Sequence, residues 1–206
     1  MHPLLKKLQG GDRRSIGKSR DVVNEILSDP GLFGVVFDGM SNEDPLVRMR
    51  CADAAEKITA LCPDLLQPYK CKLLREVAPI DEQEVRWHVA QMISRLTLGR
   101  RERREAAGVL AGYLEDDSRI VKTFAMQALA DLAQRDSELR PGIVRTLRKL
   151  TQTGSPAMRS RGRKLLHNLA SRLSGYLPIE VKMDHFLPMS YYFRVERKVG
   201  IYSVRR

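Results

Sequence analysis

A basic side chain recurs at matching places along this 206-residue sequence. It directly follows an apolar residue in four similar segments, at Arg48, Arg86, Lys122 and Arg159. Regularly spaced Lys and Arg can bind anionic groups, such as the carboxylates of a partner protein or the phosphates of a nucleic acid. They can equally pair with acids of their own chain, and acidic residues precede three of the four cations. The row therefore has both a structural and a binding interpretation.

A second basic patch lies in and after the fourth segment. Its members have no acidic residue among them and are Arg159, Arg161, Arg163, Lys164 and Arg172. The apolar residues between them form the packing stripe of a helix, so these cations face water or a partner. A polar helix that caps the array explains the patch about as well as an anionic partner does. Trp87, next to Arg86, either contacts a partner or packs between helices.

The residues that support catalysis or metal binding form no recognisable pattern. The histidines are scattered, at His2, His88, His167 and His185. The sequence contains no His-Glu pair, no HExxH stretch and no glycine-rich phosphate loop. We expect no enzymatic activity, no cofactor and no metal site. If the chain were an enzyme, it would need a carboxylate in a concave pocket without a basic neighbour. Asp53 and Asp131 are the candidates.

Composition favours a helical protein. The chain is 43% hydrophobic but only 6% aromatic, whereas β-sandwiches usually carry more aromatic and β-branched residues. It has no apolar run of about 18 residues, so we expect no membrane span. The three cysteines, Cys51, Cys62 and Cys71, lack CxxC spacing, which predicts reduced thiols and a cytoplasmic location.

The net charge of +11 is concentrated at one end of the chain. Residues 151–206 contain 11 Lys and Arg against 3 Asp and Glu. Such an end attracts nucleic acid, an acidic protein face or anionic lipid, and charge alone does not choose among them.

The cations are positioned by a repeated helix. When the four copies are aligned at Val47, Val85, Val121 and Met158, they are separated by 38, 36 and 37 residues. Apolar or small residues recur 4, 7, 8 and 11 places after each anchor, which is one face of an α-helix. Another apolar-periodic segment precedes each copy, at residues 31–40, 63–77, 101–114 and 137–150. A helix pair of this kind buries its stripe only by stacking on its neighbours, so the pattern predicts an array.

These segments divide the chain into three parts. Residues 1–19 are predicted as a basic N-terminal arm, which is either disordered or a short helix followed by a loop. Residues 20–173 are the repeat domain. Residues 174–206 are a basic tail whose Tyr, Val and Ile alternate with polar residues, so it is either extended or disordered.

The repeat resembles the HEAT family. The resemblance is carried by an acidic turn followed by a basic residue after the anchor, at residues 44–48, 81–86 and 116–122, while Thr153, Gly154 and Ser155 replace the acidic turn in the fourth copy. It implies an all-α, right-handed α-α superhelix of about four helix pairs with a concave binding face. Armadillo-like packing is the nearby alternative.

The function implied is a non-catalytic scaffold that binds the acidic face of a protein partner. The partner would contact a concave row of Arg48, Arg86, Trp87, Lys122 and Arg159. The first alternative is binding of nucleic-acid phosphates through the basic fourth helix and the tail. An enzyme such as a DNA glycosylase or a lyase, both of which include members with stacked helical repeats, is the third possibility, and no residue carries that match.

Overall fold

The computed structural model describes residues 1–12 and 14–171, and every regular element within them is helical. The fold is therefore all-α in this part of the chain, as predicted. The tail at residues 174–206, whose extended or disordered state we predict, and Arg172 lie outside the described residues.

Ten α-helices follow one another along the described chain. They are α1 (Pro3–Lys6), α2 (Ser19–Ser28), α3 (Phe33–Gly39), α4 (Pro45–Leu61), α5 (Lys70–Lys72), α6 (Gln83–Ile93), α7 (Arg100–Tyr113), α8 (Arg119–Arg135), α9 (Arg140–Thr153) and α10 (Pro156–Ser171). A 3₁₀ turn, Pro30–Leu32, precedes α3, while α5 is flanked by a 3₁₀ segment, Pro63–Tyr69, and a π-helical turn, Leu73–Val77. No helix in the described residues is long and apolar enough to cross a membrane.

Three of the long helices, α4, α8 and α10, begin at a residue whose side chain caps them. Asp44 accepts a hydrogen bond from the backbone N–H of Leu46 at 2.9 Å, and Pro45 follows in the first turn of α4. Ser118 caps α8 in the same manner, and the hydroxyl of Ser155 accepts from the N–H of Met158 at the start of α10. These caps satisfy N–H groups that have no partner within the helix.

The helices form two layers. In the inner layer, α4, α6, α8 and α10 pack side by side in chain order, and α2 packs on α4 at the free edge. The outer elements pack on them: α3 on α4, α7 on α8, and α9 on α8 and α10. The anchor residues Val47, Val85 and Val121 are fully buried and Met158 is 5% exposed. The aligned apolar face is thus the face that forms the core.

Glycine allows the last helix pair to approach closely. Gly162 occupies the aligned place that Cys51, Val89 and Ala125 fill in the other copies. A Cβ atom at Gly162 would collide with the side chain of Thr151 on α9. The departure from the repeat at this position therefore has a packing reason.

The N-terminal segment joins the same core. Residues Pro3–Lys6 form the short helix α1, and the described residues between it and Ser19 form no regular element. Leu4 and Leu8 are buried in the core at 1% and 0% exposure, and α1 contacts α3. Burial of these leucines holds the segment against the repeats instead of leaving it as a free arm.

Candidate functional site

Arg48 forms an ion pair that links neighbouring repeats. We call the row of such pairs the ladder and each pair a rung, and the pair of Arg48 is the first rung. Its guanidinium pairs with the carboxylate of Glu82, which lies in the turn before α6. It also donates to the backbone carbonyls of Asn42 at 2.5 Å and Glu43 at 3.1 Å. These bonds tie the turn before α4 to the turn before α6, so Arg48 serves the fold.

Arg86 forms the second rung in the same way. Its Nη1 atom lies 2.7 Å from Oδ2 of Asp116, in the turn before α8, and 2.9 Å from Oδ1 of Asp81. Its Nε atom donates to the carbonyl of Ile80 at 3.1 Å, and its guanidinium lies 5.7 Å from the centroid of the Tyr113 ring. For Arg48 and Arg86 the geometry matches the structural interpretation of the row.

The third rung lacks its acid. Lys122 occupies the position of Arg48 and Arg86, but the turn before α10 contains no carboxylate. Lys122 is half-buried, and its side chain has no hydrogen bond or ion pair within the described residues. Arg159 is exposed and donates only to the carbonyl of Gly154 at 3.2 Å. Among the described residues, the ladder therefore ends with cations that have no paired acid.

The basic patch of α10 divides into two parts. Arg163 and Lys164 are exposed and carry no ion pair within the described chain. Arg161 is half-buried instead, and its Nη1 atom donates to Oε1 of Gln127 on α8 at 2.9 Å. Burial lowers the pKa of Arg161 from its ordinary value. Arg161 is thus partly withdrawn from the exposed part of the patch, which among the described residues consists of Arg159, Arg163 and Lys164.

Ion pairs are concentrated in the first three repeats. Within the described residues they run from Lys7 to Glu138, and residues 139–171 contain no Asp or Glu. The basic run at the start of α7 is largely neutralised: Arg103 pairs with Asp136, and Arg100 and Arg104 both pair with Glu138.

Helix α9 adds cations that the repeat alignment does not find. Arg145, Arg148 and Lys149 are exposed and have no ion pair in the described chain. The sequence does contain a signal for them, because residues 139–171 include no acid. They escape the alignment because they lie on an outer helix, away from the aligned columns.

Trp87 packs on the helical core. It is half-buried, and its ring stands edge-on to the imidazole of His88 with centroids 5.6 Å apart. Burial lowers the pKa of His88 to about 4. This environment matches the packing interpretation of Trp87 more closely than an exposed stacking platform.

Neither candidate carboxylate is isolated from basic groups. Oδ2 of Asp53 accepts from the hydroxyl of Ser19 at 2.6 Å and from Nζ of Lys57 at 2.7 Å. Burial raises the pKa of Asp131, which accepts from Nε2 of Gln127 at 2.9 Å and lies near Arg135. Both carboxylates are engaged by neighbouring side chains of the fold, which matches a structural role. No cluster of three His, Cys, Asp or Glu suited to a metal occurs among the described residues.

Arg50 is a buried cation that the sequence does not reveal. Its side chain is 1% exposed, and it donates to the carbonyls of Leu8 at 2.7 Å, Gly10 at 2.6 Å, Asp12 at 3.1 Å and Ser15 at 3.0 Å. The N-terminal loop therefore wraps around the guanidinium and neutralises it with backbone dipoles, which places Arg50 in the fold and not on a binding surface.

Comparison with known proteins supports the fold class alone. No protein-family model matches the chain, and no curated protein matches it. The structure is similar to the crystal structure of an engineered protein from the Northeast Structural Genomics Consortium, with a TM-score of 0.54 and 18% sequence identity, over 82% of this chain and 78% of that one. The chain is thus an all-α protein whose helical arrangement is shared with that engineered protein.

Proposed function

We propose that this protein is a non-catalytic, HEAT-like repeat scaffold that binds the acidic face of a protein partner. The binding surface is the C-terminal end of the helix stack, formed by Lys122, Arg159, Arg163 and Lys164. This narrows the row predicted from the sequence, since Arg48 is engaged in an internal ion pair. A cytoplasmic location belongs to the same proposal and is supported by cysteines that are free in the described structure.

The proposal rests on the absence of an acidic residue in the turn before α10. Arg48 and Arg86 each reach a carboxylate in the turn before the next inner helix, whereas the corresponding turn after Lys122 contains none. An acidic side chain of a partner would supply the carboxylate that the chain itself lacks there. The nearby exposed cations would speed the encounter by long-range attraction.

Completing the rung within the chain tests this mechanism. The substitution Ser155→Asp places a carboxylate in the turn before α10 and keeps a capping residue at the start of that helix. We expect it to stabilise the fold slightly and to weaken partner binding, because Lys122 becomes internally paired. Gln152→Glu adds the same charge at an exposed position on α9 and should leave binding unchanged.

The assay is affinity capture of the tagged full-length chain from its native lysate with nuclease, followed by measurement of the captured protein's affinity. The double substitution Lys122→Glu and Arg159→Glu should weaken binding at least about tenfold, as expected when charged hydrogen bonds are lost. Arg148→Glu is the matched control, since it reverses an exposed cation on α9. Equal losses in both variants would reject the third rung as the contact.

Nucleic-acid binding is the second candidate, and the acid-free stretch of residues 139–171 favours it. Phosphate contacts would use the cations of α9 and α10 together, without reading base sequence. This alternative predicts capture that vanishes with nuclease and affinity that falls steeply with salt. It also predicts that Arg148→Glu and Lys149→Glu weaken binding as much as the substitution of Lys122 and Arg159 does.

A further inference from the structure

A cavity of about 430 Å³ opens where the loop after α6 meets α7 and the end of α8. Three arginines line it, one from each of these places: Arg95, Arg103 and Arg135. Its remaining lining is Thr97 and three apolar side chains, those of Leu96, Leu98 and Leu132. We call it the three-arginine cleft. None of its lining residues belongs to the proposed partner-binding surface of Lys122, Arg159, Arg163 and Lys164.

Two of the arginines are held in place by acids. Arg95 pairs with the carboxylate of Glu56, and its Nη1 atom donates to the carbonyl of Glu56 at 2.7 Å and to Oγ1 of Thr59 at 3.1 Å. Nε of Arg103 lies 2.7 Å from Oδ2 of Asp136. These bonds fix the two side chains and neutralise their charges, yet Nε of Arg95 and Nη2 of Arg103 make no hydrogen bond in the described structure.

Among the described residues, Arg135 is the one cation of the cleft that has no paired acid. It is exposed, and the hydrogen bond of its guanidinium is a long one of 3.4 Å from Nη1 to the carbonyl of Leu96. Its charge acts on Asp131, one turn earlier on α8, which is engaged by Gln127. The cleft therefore carries surplus positive charge and unused N–H donors.

A second cavity lies next to the three-arginine cleft and shares two of its arginines, and the acids of its lining make it less favourable for an anion. This smaller space, about 130 Å³, also contacts Arg103 and Arg135 but is lined by Asp136 and Glu138 as well. Carboxylates there oppose an anion. The three-arginine cleft has no acidic residue in its lining, so an anion that reaches Arg135 is accommodated on that side.

We propose that the three-arginine cleft binds a small organic phosphate. The phosphate oxygens accept from Arg135 and from the unused donors of Arg95 and Arg103, because guanidinium groups match oxyanions with paired N–H donors. The hydroxyl of Thr97 supplies a further donor at the rim. The apolar part of the ligand packs on Leu96, Leu98 and Leu132, and the volume lies in the range of small-molecule sites.

Calorimetric titration of the full-length chain with phenyl phosphate tests the proposal. We expect saturable binding that is tighter than that of inorganic phosphate, which lacks the apolar group, and tighter than that of phenol, which lacks the charge. Arg135→Gln should weaken binding about tenfold, since it removes charged hydrogen bonds. Its fold should persist because Arg135 makes a single long bond.

Two variants separate a specific site from general attraction. Arg135→Lys keeps the charge but loses the planar pair of donors, so it should also weaken binding. Arg145→Gln removes an exposed cation on α9 and should leave binding unchanged. Absence of saturable phenyl phosphate binding, or an equal effect of Arg145→Gln and Arg135→Gln, would overturn the proposal. Partner capture through Lys122 does not depend on this result.

Discussion

Replacing Arg50 with methionine is expected to lower the unfolding free energy by about 3 kcal/mol. The side chain makes four hydrogen bonds to carbonyls of residues 8–15, and hydrogen bonds to charged groups are worth roughly 1.5–3 kcal/mol each. Only the bond to Leu8 is fully buried, whereas the other three carbonyls can regain water in the variant. We therefore count the buried bond in full and discount the rest strongly.

A truncation makes the assay specific. Removing residues 1–12 deletes three of the four acceptors and exposes the guanidinium of Arg50 to water. Urea unfolding of the full and the truncated chain, each with and without the Arg50→Met substitution, forms a double-mutant cycle. The substitution should cost about 3 kcal/mol in the full chain and little in the truncated one, where water replaces the deleted acceptors.

The cycle has one outcome that would refute this reasoning. If Arg50→Met costs the same in both chains, Arg50 stabilises α4 through packing of its own side chain and the surrounding carbonyls contribute nothing. Arg48→Gln, two residues earlier on the same helix, is the control. Its ion pair with Glu82 lies away from the N-terminal loop, so its cost should not change with the truncation.

Three further predictions concern the ladder, the half-buried His88 and the thiols. Arg86→Gln should lower the free energy of unfolding in urea by about 2 kcal/mol, because it leaves the buried carboxylate of Asp116 unpaired. Lys122→Gln should change it by no more than about 0.5 kcal/mol. Similar losses in both variants would contradict the absence of a third rung. The pKa of His88 is about 4 in the folded chain against 6.5 ordinarily, so the unfolded chain binds more protons and stability falls as the pH drops from 6.5 to 4. His88→Leu should remove about 2 kcal/mol of the stability difference between pH 7 and pH 4.5, and an unchanged difference would reject the assignment. Burial raises the pKa of Cys51 to about 12 while Cys71 is exposed, so iodoacetamide should label Cys71 in the native chain and Cys51 only after unfolding, as peptide mass analysis would show.

The repeat and its caps can be predicted from sequence because their signals are local. The anchors Val47, Val85 and Val121 recur at a nearly constant spacing, and each is buried as the helical period requires. The rungs of Arg48 and Arg86 are also predictable, since each acid lies in a turn just before the next copy of the helix.

The role of Arg50 could not be predicted because its partners are backbone carbonyls, which every residue carries. The nearest signal is the glycines of the N-terminal loop. Gly10 and Gly17 adopt positive φ angles of 73° and 54°, and a Cβ atom at Gly17 would lie 3.0 Å from the guanidinium carbon of Arg50. These glycines allow the loop to turn its carbonyls toward a cation. Their spacing matches no phosphate-binding motif, so the sequence gives no sign that they surround a charged group.

The three-arginine cleft escapes sequence analysis for a different reason. Arg95, Arg103 and Arg135 come from separate elements, and their spacing along the chain follows no motif. Only the packing of α7 against α8 brings Arg103 and Arg135 to one cavity. Sites assembled across helix pairs require the tertiary arrangement before their members can be grouped.

In the proposed mechanism, the turn before α10 links the stability of the ladder to partner binding. A rung between Arg48 and Glu82 satisfies both charges, so that position attracts no partner. Having Gly154 and Ser155 where the other turns carry an acid removes an internal bond that is worth about 1 kcal/mol or less when exposed. The same difference leaves Lys122 and Arg159 open to an external carboxylate. Loss of one weak internal pair thus creates a charged surface at the end of the stack, and Ser155→Asp should reverse both effects together.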